Sequence, residues 1–348
     1  MSKSLQDLVK ITPQRLDEYL AEGWFRMGQS IYTTRYLRHE GHFHETTWLR
    51  HRLHGLRLPA WFRKMQGRGR FRVETTTGLS SPAHELLYQK YRESRPAGWA
   101  DSLETILYGD RSRTVFNTHI VNVYDGQRLV AAGFFDTGAD SAAGICNFYD
   151  PEYRKYSLGS YIYLCELECC IQKGMRYFYP GFIAAGLPEY AHKTTMLPGS
   201  LETYDPVTRS WDSFDPSHPV DAALDRMERA LCVLLPRLHN LDMEAHFVVN
   251  AGYSLKSATR FDLPYAICIG PPEGRKEQYA ITYDPDTNEY YIFDCTGANV
   301  MEGLRVIGHQ TYCTKPMSLH TPLFILMSPG LAAETMADVV EYLADGHS

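Results

Sequence analysis

Apolar and polar positions change their period several times along the chain, and each change marks an element. Residues 4–21 carry apolar positions at helical spacing, with Thr12 placed as N-cap, Pro13 at the first helical position and Gly23 just beyond the end. The stretches "SIYTTRYL" and "TTWLRHRLHGL" alternate apolar and polar residues as short strands do, and "GRGRFRVETT" reads as another strand. Helical spacing returns in "SPAHELLYQKYRESR", which opens on Ser81-Pro82. Within residues 113–138, two β-branched and aromatic runs joined at Asp125-Gly126 predict a hairpin. A third strand stops at Asp150-Pro151, and a helix runs from Ser157 to Lys173 ahead of Gly174. A further strand, "MRYFYPGF", is ended by Pro180-Gly181.

Hairpin, strand, helix and parallel strand in that order match the core of GNAT-type acyltransferases, an analogy of fold that says little about chemistry. The expected class is α+β. A basic region over 1–95 precedes a GNAT-like core of mixed sheet and helices over 96–215, and an α+β extension over 216–348 follows. In that extension an amphipathic helix is expected over 217–236, a hairpin turning at Asp284 to Asn288, and a terminal helix within 328–346. No repeat of 20–50 residues and no low-complexity tract interrupts it.

Length and composition narrow the class. A chain of 348 residues, 44% apolar and 13% aromatic, is an ordinary globular composition divided among two or three domains. No run of eighteen apolar residues is present and "MSKSLQDLVK" has no apolar signal region, so neither a membrane span nor secretion is expected, and the location expected is cytoplasmic. The eight cysteines form no C-x-x-C pair and read as free, mostly buried thiols.

The net charge of −6 hides a segregation: residues 1–72 hold fourteen Lys/Arg against six Asp/Glu. Within 26–72 there are eleven basic residues and two acidic ones, Glu40 and Glu45, with aromatics interleaved. Arginine and aromatic side chains without acids suit phosphate contact and base stacking; a solvated basic face would look the same. An acidic remainder would keep any nucleic acid on the N-terminal face.

Chemistry-bearing residues fall into four groups. Arg154-x-x-Ser157-x-Gly159 lies where a strand gives way to a helix, a place where backbone N–H groups hold anions, although Ser157 could simply cap the helix. His39, His42, His44, His51 and His54 crowd together without the spacing of a metal site, so no metal is expected. Cys165, Cys169 and Cys170, one helical turn apart, read as core rather than as nucleophiles. "YFYPGFIAAGLPEYAHK" brings Tyr190, His192 and Lys193 behind a rigid loop at a strand's C-terminal end, where α/β folds place ligands.

Taken together, "GWFRMGQSIYTT", the block from "NFYDPEYRKYSLG" to "YAHK" and the trailing "LPGSLE" resemble the aminoacyl-tRNA–protein transferases, the arginyl-transferases and bacterial leucyl-transferases of the N-degron pathway. The resemblance covers residues 20–215. It implies an acyltransferase of GNAT-like fold that takes aminoacyl-tRNA, expected to be Arg-tRNA, as co-substrate and needs no other cofactor. Peptide bond formation would join the amino acid to the α-amine of a protein N-terminus, Asp or Glu. Neither membrane nor DNA is expected as a partner.

The resemblance further implies site roles. Tyr179, Lys193 and Asp150 would be the catalytic residues; Tyr179 would also line the acceptor pocket with Tyr190, Phe182 and Glu202, and Lys193 would face an acidic N-terminal side chain. Asp150 would hold the donor's cationic side chain or α-amine, Ser157 and Gly159 would offer N–H groups to the ester or terminal adenosine, and Arg26, Gln29, Ser30 and Tyr32 would meet the tRNA acceptor end. Two features depart from the family: no cysteine cluster follows "GQSIYTT", and His192 stands where many relatives have Tyr. A small-molecule acceptor, as in dipeptide or cyclodipeptide synthesis, is the first alternative; a CoA-dependent N-acyltransferase and a non-catalytic binding module are the others.

Overall fold

The first helical stretch divides in two in the computed structural model of the chain: a short strand β1 (Lys3–Asp7) precedes helix α1 (Pro13–Ala21). Residues 3–7 pair into a small sheet in the order β1, β3, β2, and that pairing outweighs the local helical pattern. Thr12 caps α1 as expected, its side chain accepting from Arg15 N (3.2 Å). The structure describes residues 3–95, 100–109, 114–184, 186–197, 199–216, 222–241, 243–250, 264–270, 278–294, 304–306, 317–319 and 331–345.

The elements that follow are β2 (Phe25–Met27), β3 (Ser30–Thr34), β4 (Tyr36–His39), β5 (His42–Arg52), α2 (Ala60–Gly67), β6 (Phe71–Thr77), α3 (Pro82–Glu93) and α4 (Leu103–Tyr108). Next come β7 (Thr118–Asp125), β8 (Arg128–Thr137), β9 (Ser141–Tyr149), a 3₁₀ turn (Pro151–Tyr156), α5 (Leu158–Gln172) and β10 (Tyr177–Ala184). A second 3₁₀ turn (Pro188–Tyr190), α6 (Ala191–Thr195), β11 (Leu201–Asp205) and β12 (Ser210–Ser213) complete this part. Helix α2 has no counterpart in the sequence reading, since eight residues are too few to show a helical period.

Contacts divide the chain into two units, one of Leu5–Thr33 with Thr47–Ser217 and one of Met1–Ser4, Thr34–Thr46 and His218–Ser348. Residues 1–95 are therefore not set apart from 96–215: β5 and β6 belong to the same sheet as β7 to β10.

In the first unit the strand order is β12-β11-β5-β10-β9-β8-β7-β6. Strands β6 to β9 are antiparallel neighbours, joined between β7 and β8 at Asp125-Gly126, where Gly126 supplies the positive φ the turn needs (63°). Strand β10 runs parallel to β9 over Tyr177–Tyr179 against Ser141–Ala143 and continues beyond that paired stretch to Ala184. Alternation along β8 sends Phe135 into one cluster with α5 and Phe134 into another with α3 and α4.

Helix α5 is apolar nearly all round, and it is buried on both sides. It packs on β8 and β9 so closely that a Cβ at Gly133 would lie 2.3 Å from Ile162; on its other side Phe62 of α2 meets Tyr161 at 5.4 Å. Cys165 and Cys170 are buried in this packing, and burial raises both thiols, as core cysteines require. Glu166 on the same helix is fully buried; burial holds its carboxyl well above the usual range and Asn147 Nδ2 donates to it (3.3 Å).

Two buried polar ties hold the first unit together. Arg26 on β2 places Nη1 2.9 and 3.0 Å from the two carboxylate oxygens of Asp136 and 2.9 Å from Thr118 Oγ1, while Nε donates to Gly28 O (2.7 Å) and Nη2 to Leu107 O. The pair is 4% and 1% exposed. His51 on β5 joins Tyr163 Oη through Nε2 (2.6 Å) and Ser200 Oγ through Nδ1 (2.8 Å). Burial lowers the His51 imidazole to about 4.

The second unit carries α7 (Ala222–His239), β13 (Ala245–Asn250), β14 (Tyr265–Ile269), β15 (Tyr279–Asp284), β16 (Glu289–Asp294), β17 (Leu304–Val306), β18 (Met317–Leu319), β19 (Leu331–Ala333) and α8 (Met336–Asp345). Its sheet order is β17-β18-β13-β14-β15-β16-β19, and Leu231, Leu234 and Leu238 of α7 share a core with Phe247, Ile267, Ile281 and Ile292. Helix α7 continues past Pro236, where it was expected to end, to His239. Cys232 is disulfide-bonded, unlike the free thiols expected throughout, whereas Cys146, Cys165, Cys169, Cys170 and Cys268 are free. Cys295 and Cys313 lie outside the described residues.

Arg26→Met leaves Asp136 buried without its cation and lowers stability by about 3–5 kcal/mol, read as a lower urea midpoint at unchanged m. His51 gives a pH dependence of known sign. Between pH 6.5 and 4 the unfolded chain takes up a proton that the folded chain refuses. Stability is thus complete above about pH 6.5 and falls toward pH 4 by about 3 kcal/mol. Melting temperatures of wild type and His51→Gln across that range should converge as the pH falls.

Candidate active site

Strand β10 carries the site because it outruns its neighbour. Beyond Tyr179 it continues as Pro180-Gly181-Phe182-Ile183, and the turn Pro188–Tyr190 and short α6 fold back toward it. Lys193 of α6 donates from Nζ to Phe182 O (2.9 Å) and lies 5.3 Å from the centre of the Tyr190 ring. Gly181, within β10, has φ 86°, a conformation that favours glycine, and a Cβ there would stand in ordinary contact, 3.5 Å, with Lys193 Nζ. Burial lowers Lys193 to about 8. Among the described residues no carboxylate lies within ion-pair distance of it, and the partners described for its charge are a carbonyl dipole and a ring.

An aromatic wall continues from this lysine. Phe182 meets Tyr190 at 5.6 Å and Trp48 of β5 at 5.1 Å; Trp48 in turn meets Tyr32 of β3 at 5.5 Å and stacks on Phe25 of β2 at 4.1 Å. Burial raises the Tyr32 hydroxyl above its ordinary range, with Tyr190 adding to the effect. The fold thus assembles Tyr32, Phe182, Tyr190 and Lys193, drawn from segments about 150 residues apart in the sequence.

The remaining expected site residues stand elsewhere. Tyr179 is buried behind Phe25 (6.0 Å) and Trp211 (5.4 Å). Burial raises its hydroxyl to about 12 against the opposing effect of Arg50. It faces the core and not an open pocket. Glu202 is held by Arg50 Nε (2.6 Å) and Arg52 Nε (3.2 Å), and the Arg50 guanidinium lies over Tyr177 (4.0 Å) and Trp211 (4.5 Å). Glu202 thus closes an ion pair, with Arg50 as the cation, and is not free to receive an acceptor amine.

Asp150 caps the first 3₁₀ turn, accepting from Glu152 N (3.1 Å), and pairs with Lys90 Nζ (2.8 Å) and with Arg128. Burial raises its carboxyl, but the hydrogen bonds from Lys90, the Glu152 amide and Arg128 outweigh that and hold it below the usual range. Two cations of this chain already occupy the carboxylate expected to hold a cationic donor group. Ser157 adopts the left-handed conformation (φ 51°) between the 3₁₀ turn and α5 and makes no side-chain cap, whereas Gly159 lies in the first turn of α5. Arg26 is consumed by Asp136, and Gln29 bridges Leu107 O (2.7 Å) and Val115 N (2.6 Å). Ser30 donates to Asp7 (2.5 Å). Arg26 and Gln29, expected at the tRNA end, instead fasten the β2–β3 hairpin that carries Tyr32.

Trp48 and Arg50 escaped the sequence reading. They share a face of β5 with Thr46, a period-2 signal that is legible in "TTWLRHRL"; what that face meets is not. Among the described residues no cluster of three potential metal ligands is present.

Comparison with known proteins places this geometry. Residues 83–203 match the family model described as arginine-tRNA-protein transferase, C terminus. The chain is 28% identical over 121 residues to the aspartate/glutamate leucyltransferase of Hahella chejuensis, covering 33% of this chain and 50% of that protein. It is 33% identical over 82 residues to the protein of the same name from Vibrio cholerae (24% and 35%), and 28% identical over 137 residues to that of Stenotrophomonas maltophilia (37% and 53%). The chain thus spans about half the length, or less, of these curated relatives. The family match contains Asp150, Ser157, Tyr179, Phe182, Tyr190, Lys193 and Glu202; Arg26, Tyr32 and Trp48 lie outside it. Over residues 83–203 the chain is thus similar to the aminoacyl-tRNA–protein transferases, at the modest identity of these matches.

Proposed function

We propose that the chain moves an aminoacyl group from aminoacyl-tRNA to the α-amine of a protein whose N-terminal residue is Asp or Glu. The observation that carries this reading is Lys193, a partly buried ammonium without a carboxylate counter-ion among the described residues, held at the end of β10 beside an aromatic wall. Such a cation is a ready partner for an acidic side chain. The name shared by these relatives, aspartate/glutamate leucyltransferase, agrees with that acceptor. The order of antiparallel β7 to β9, helix α5 and parallel β10 supports a GNAT-like core for this chemistry.

The reaction asks little of covalent catalysis. The neutral α-amine attacks the ester carbonyl carbon, the bond to the ribose oxygen of the tRNA breaks, and the amine's proton leaves with the ribose hydroxyl or to water. Lys193 binds the acceptor carboxylate, and Phe182, Tyr190 and Trp48 offer apolar faces around it. For the donor we propose leucine: the wall of Tyr32, Trp48 and Phe182 suits an apolar side chain, and Asp150, expected to receive a cationic one, is already paired. Arginine is the second reading, favoured by the name of the matched family model.

The test incubates the protein with radiolabelled leucyl- or arginyl-tRNA and peptides beginning with Asp, Glu or Asn. Label in Asp and Glu peptides is expected; label only in a small product would move the acceptor to a free amino acid, and acetyl-CoA consumption without either would reassign the donor. Lys193→Met should lower kcat/KM for the Asp peptide by about tenfold or more and leave the Asn peptide within about threefold. As Lys193 titrates near 8, its carboxylate binding is complete below that pH and fades above it. The KM for Asp peptide in wild type should therefore climb above pH 8, and that rise should vanish in Lys193→Met.

A further inference from the structure

Between Glu45 and Glu74 the sequence holds eight Lys/Arg and no Asp or Glu. The structure divides these eight into two sets. Arg50 and Arg52 pair with Glu202, Arg70 with Asp125 at 2.8 Å, and Arg72 with Glu74. Arg57, Arg63, Lys64 and Arg68 are exposed and, among the described residues, have no ion-pair partner. All four lie on or beside α2 (Ala60–Gly67).

The helix turns these cations outward for a physical reason. Phe62 is buried against Tyr161, and Gln66 donates to Glu168 (2.7 Å), so the face through 62 and 66 is fastened to α5. Residues 61, 64 and 68 fall together on the opposite side at helical spacing. There Trp61 is 42% exposed, beside Lys64 and Arg68. A large aromatic left in water among unpaired cations is an arrangement suited to a stacked base flanked by phosphates. The basic strip continues along one side: Arg70 Nη1 donates to Tyr156 Oη (2.5 Å), Phe71 meets Tyr156 at 5.4 Å, and Arg154 and Lys155 next to it are exposed. It leads to Ser157 and the first turn of α5.

We propose that the solvent side of α2, with Trp61, Lys64 and Arg68 on one face and Arg63 exposed beside it, is the docking surface for the tRNA body, and that the strip through Arg154 and Lys155 guides its acceptor end toward the N-terminus of α5. This rests on the transferase reading above, and it moves the RNA contact away from Arg26 and Gln29, which are buried. RNA is favoured over an anionic membrane because α2 leaves only one large apolar side chain in water, Trp61, while its apolar face is occupied by α5.

Binding of unfractionated, uncharged tRNA is measured by fluorescence anisotropy from 50 to 300 mM salt, beside vesicles of phosphatidylserine and phosphatidylcholine. Arg63→Gln/Lys64→Gln/Arg68→Gln should weaken tRNA binding at least tenfold at low salt and reduce the slope of log K against log salt by about 2–3. Trp61→Ala should weaken it on the order of tenfold with the slope unchanged. Arg176→Gln, exposed beyond the C-terminus of α5, should bind as wild type does. Circular dichroism and melting temperature verify that each variant is folded. Wild-type binding in the triple variant, or equal loss in Arg176→Gln, overturns the proposal, as does binding to vesicles but not to tRNA. The two readings fail separately: if wild type transfers aminoacyl groups and the triple variant keeps its KM for aminoacyl-tRNA, the surface is wrong and the activity stands. If wild type transfers nothing yet tRNA binding depends on these residues, the surface stands and the activity is wrong.

Discussion

The site depends on one buried ion pair. Arg26 reaches from the N-terminal hairpin into the sheet and binds Asp136, Thr118 and two backbone carbonyls at once. A guanidinium can do this because its five donors are fixed in a plane and it stays charged even when water is excluded. Removing either partner would leave a bare charge in the interior, so the hairpin and the sheet have no comfortable way to part. Gln29 repeats the tie next door through its two polar ends. Together they set where β3 lies, and so where Tyr32 stands against Trp48.

From that tie the rest of the site follows by packing. Phe25 stacks on Trp48, Trp48 meets Tyr32 and Phe182, and Phe182 offers its ring to Tyr190 and its carbonyl to Lys193. Among the described residues the lysine meets a dipole and a ring where a folded protein would ordinarily supply a carboxylate. Burial without a counter-ion is costly for an ammonium, which is why Lys193 titrates low, and a bound carboxylate would relieve that cost. Asp150 and Glu202, the carboxylates expected in the site, are each satisfied by other cations.

The family match and the site do not coincide. Residues 83–203 bring the parallel strand, its loop and Lys193, whereas Tyr32, Trp48 and the whole of α2 come from the N-terminal segment outside the match. The described residues also place a second sheet, with α7, after residue 217, in a unit of its own. The aromatic wall beside Lys193 therefore draws on both the matched segment and the N-terminal one, and the proposed α2 surface lies wholly in the latter.

Much of this was readable in the linear text. Asp125-Gly126 marked the hairpin and Gly174 the end of α5, because turns and helix ends depend on local backbone chemistry, whereas Pro180-Gly181, read as the end of the parallel strand, lies inside β10, which runs on to Ala184. The convergence of Tyr190, Phe182 and Lys193 was legible for the same reason, since eleven residues separate the outer two. Which charges were free was not. Arg26 and Arg63 look alike in a sequence, and only the fold assigns Asp136 to the first and water to the second. Asp150 and Glu202 read as open carboxylates until Lys90, Arg128, Arg50 and Arg52 arrive from far along the chain. Local elements are set by bonds within a few residues; the pairing of charges is set by long-range burial, where desolvation penalises a buried ion that lacks a partner, and that is a property of the tertiary structure alone.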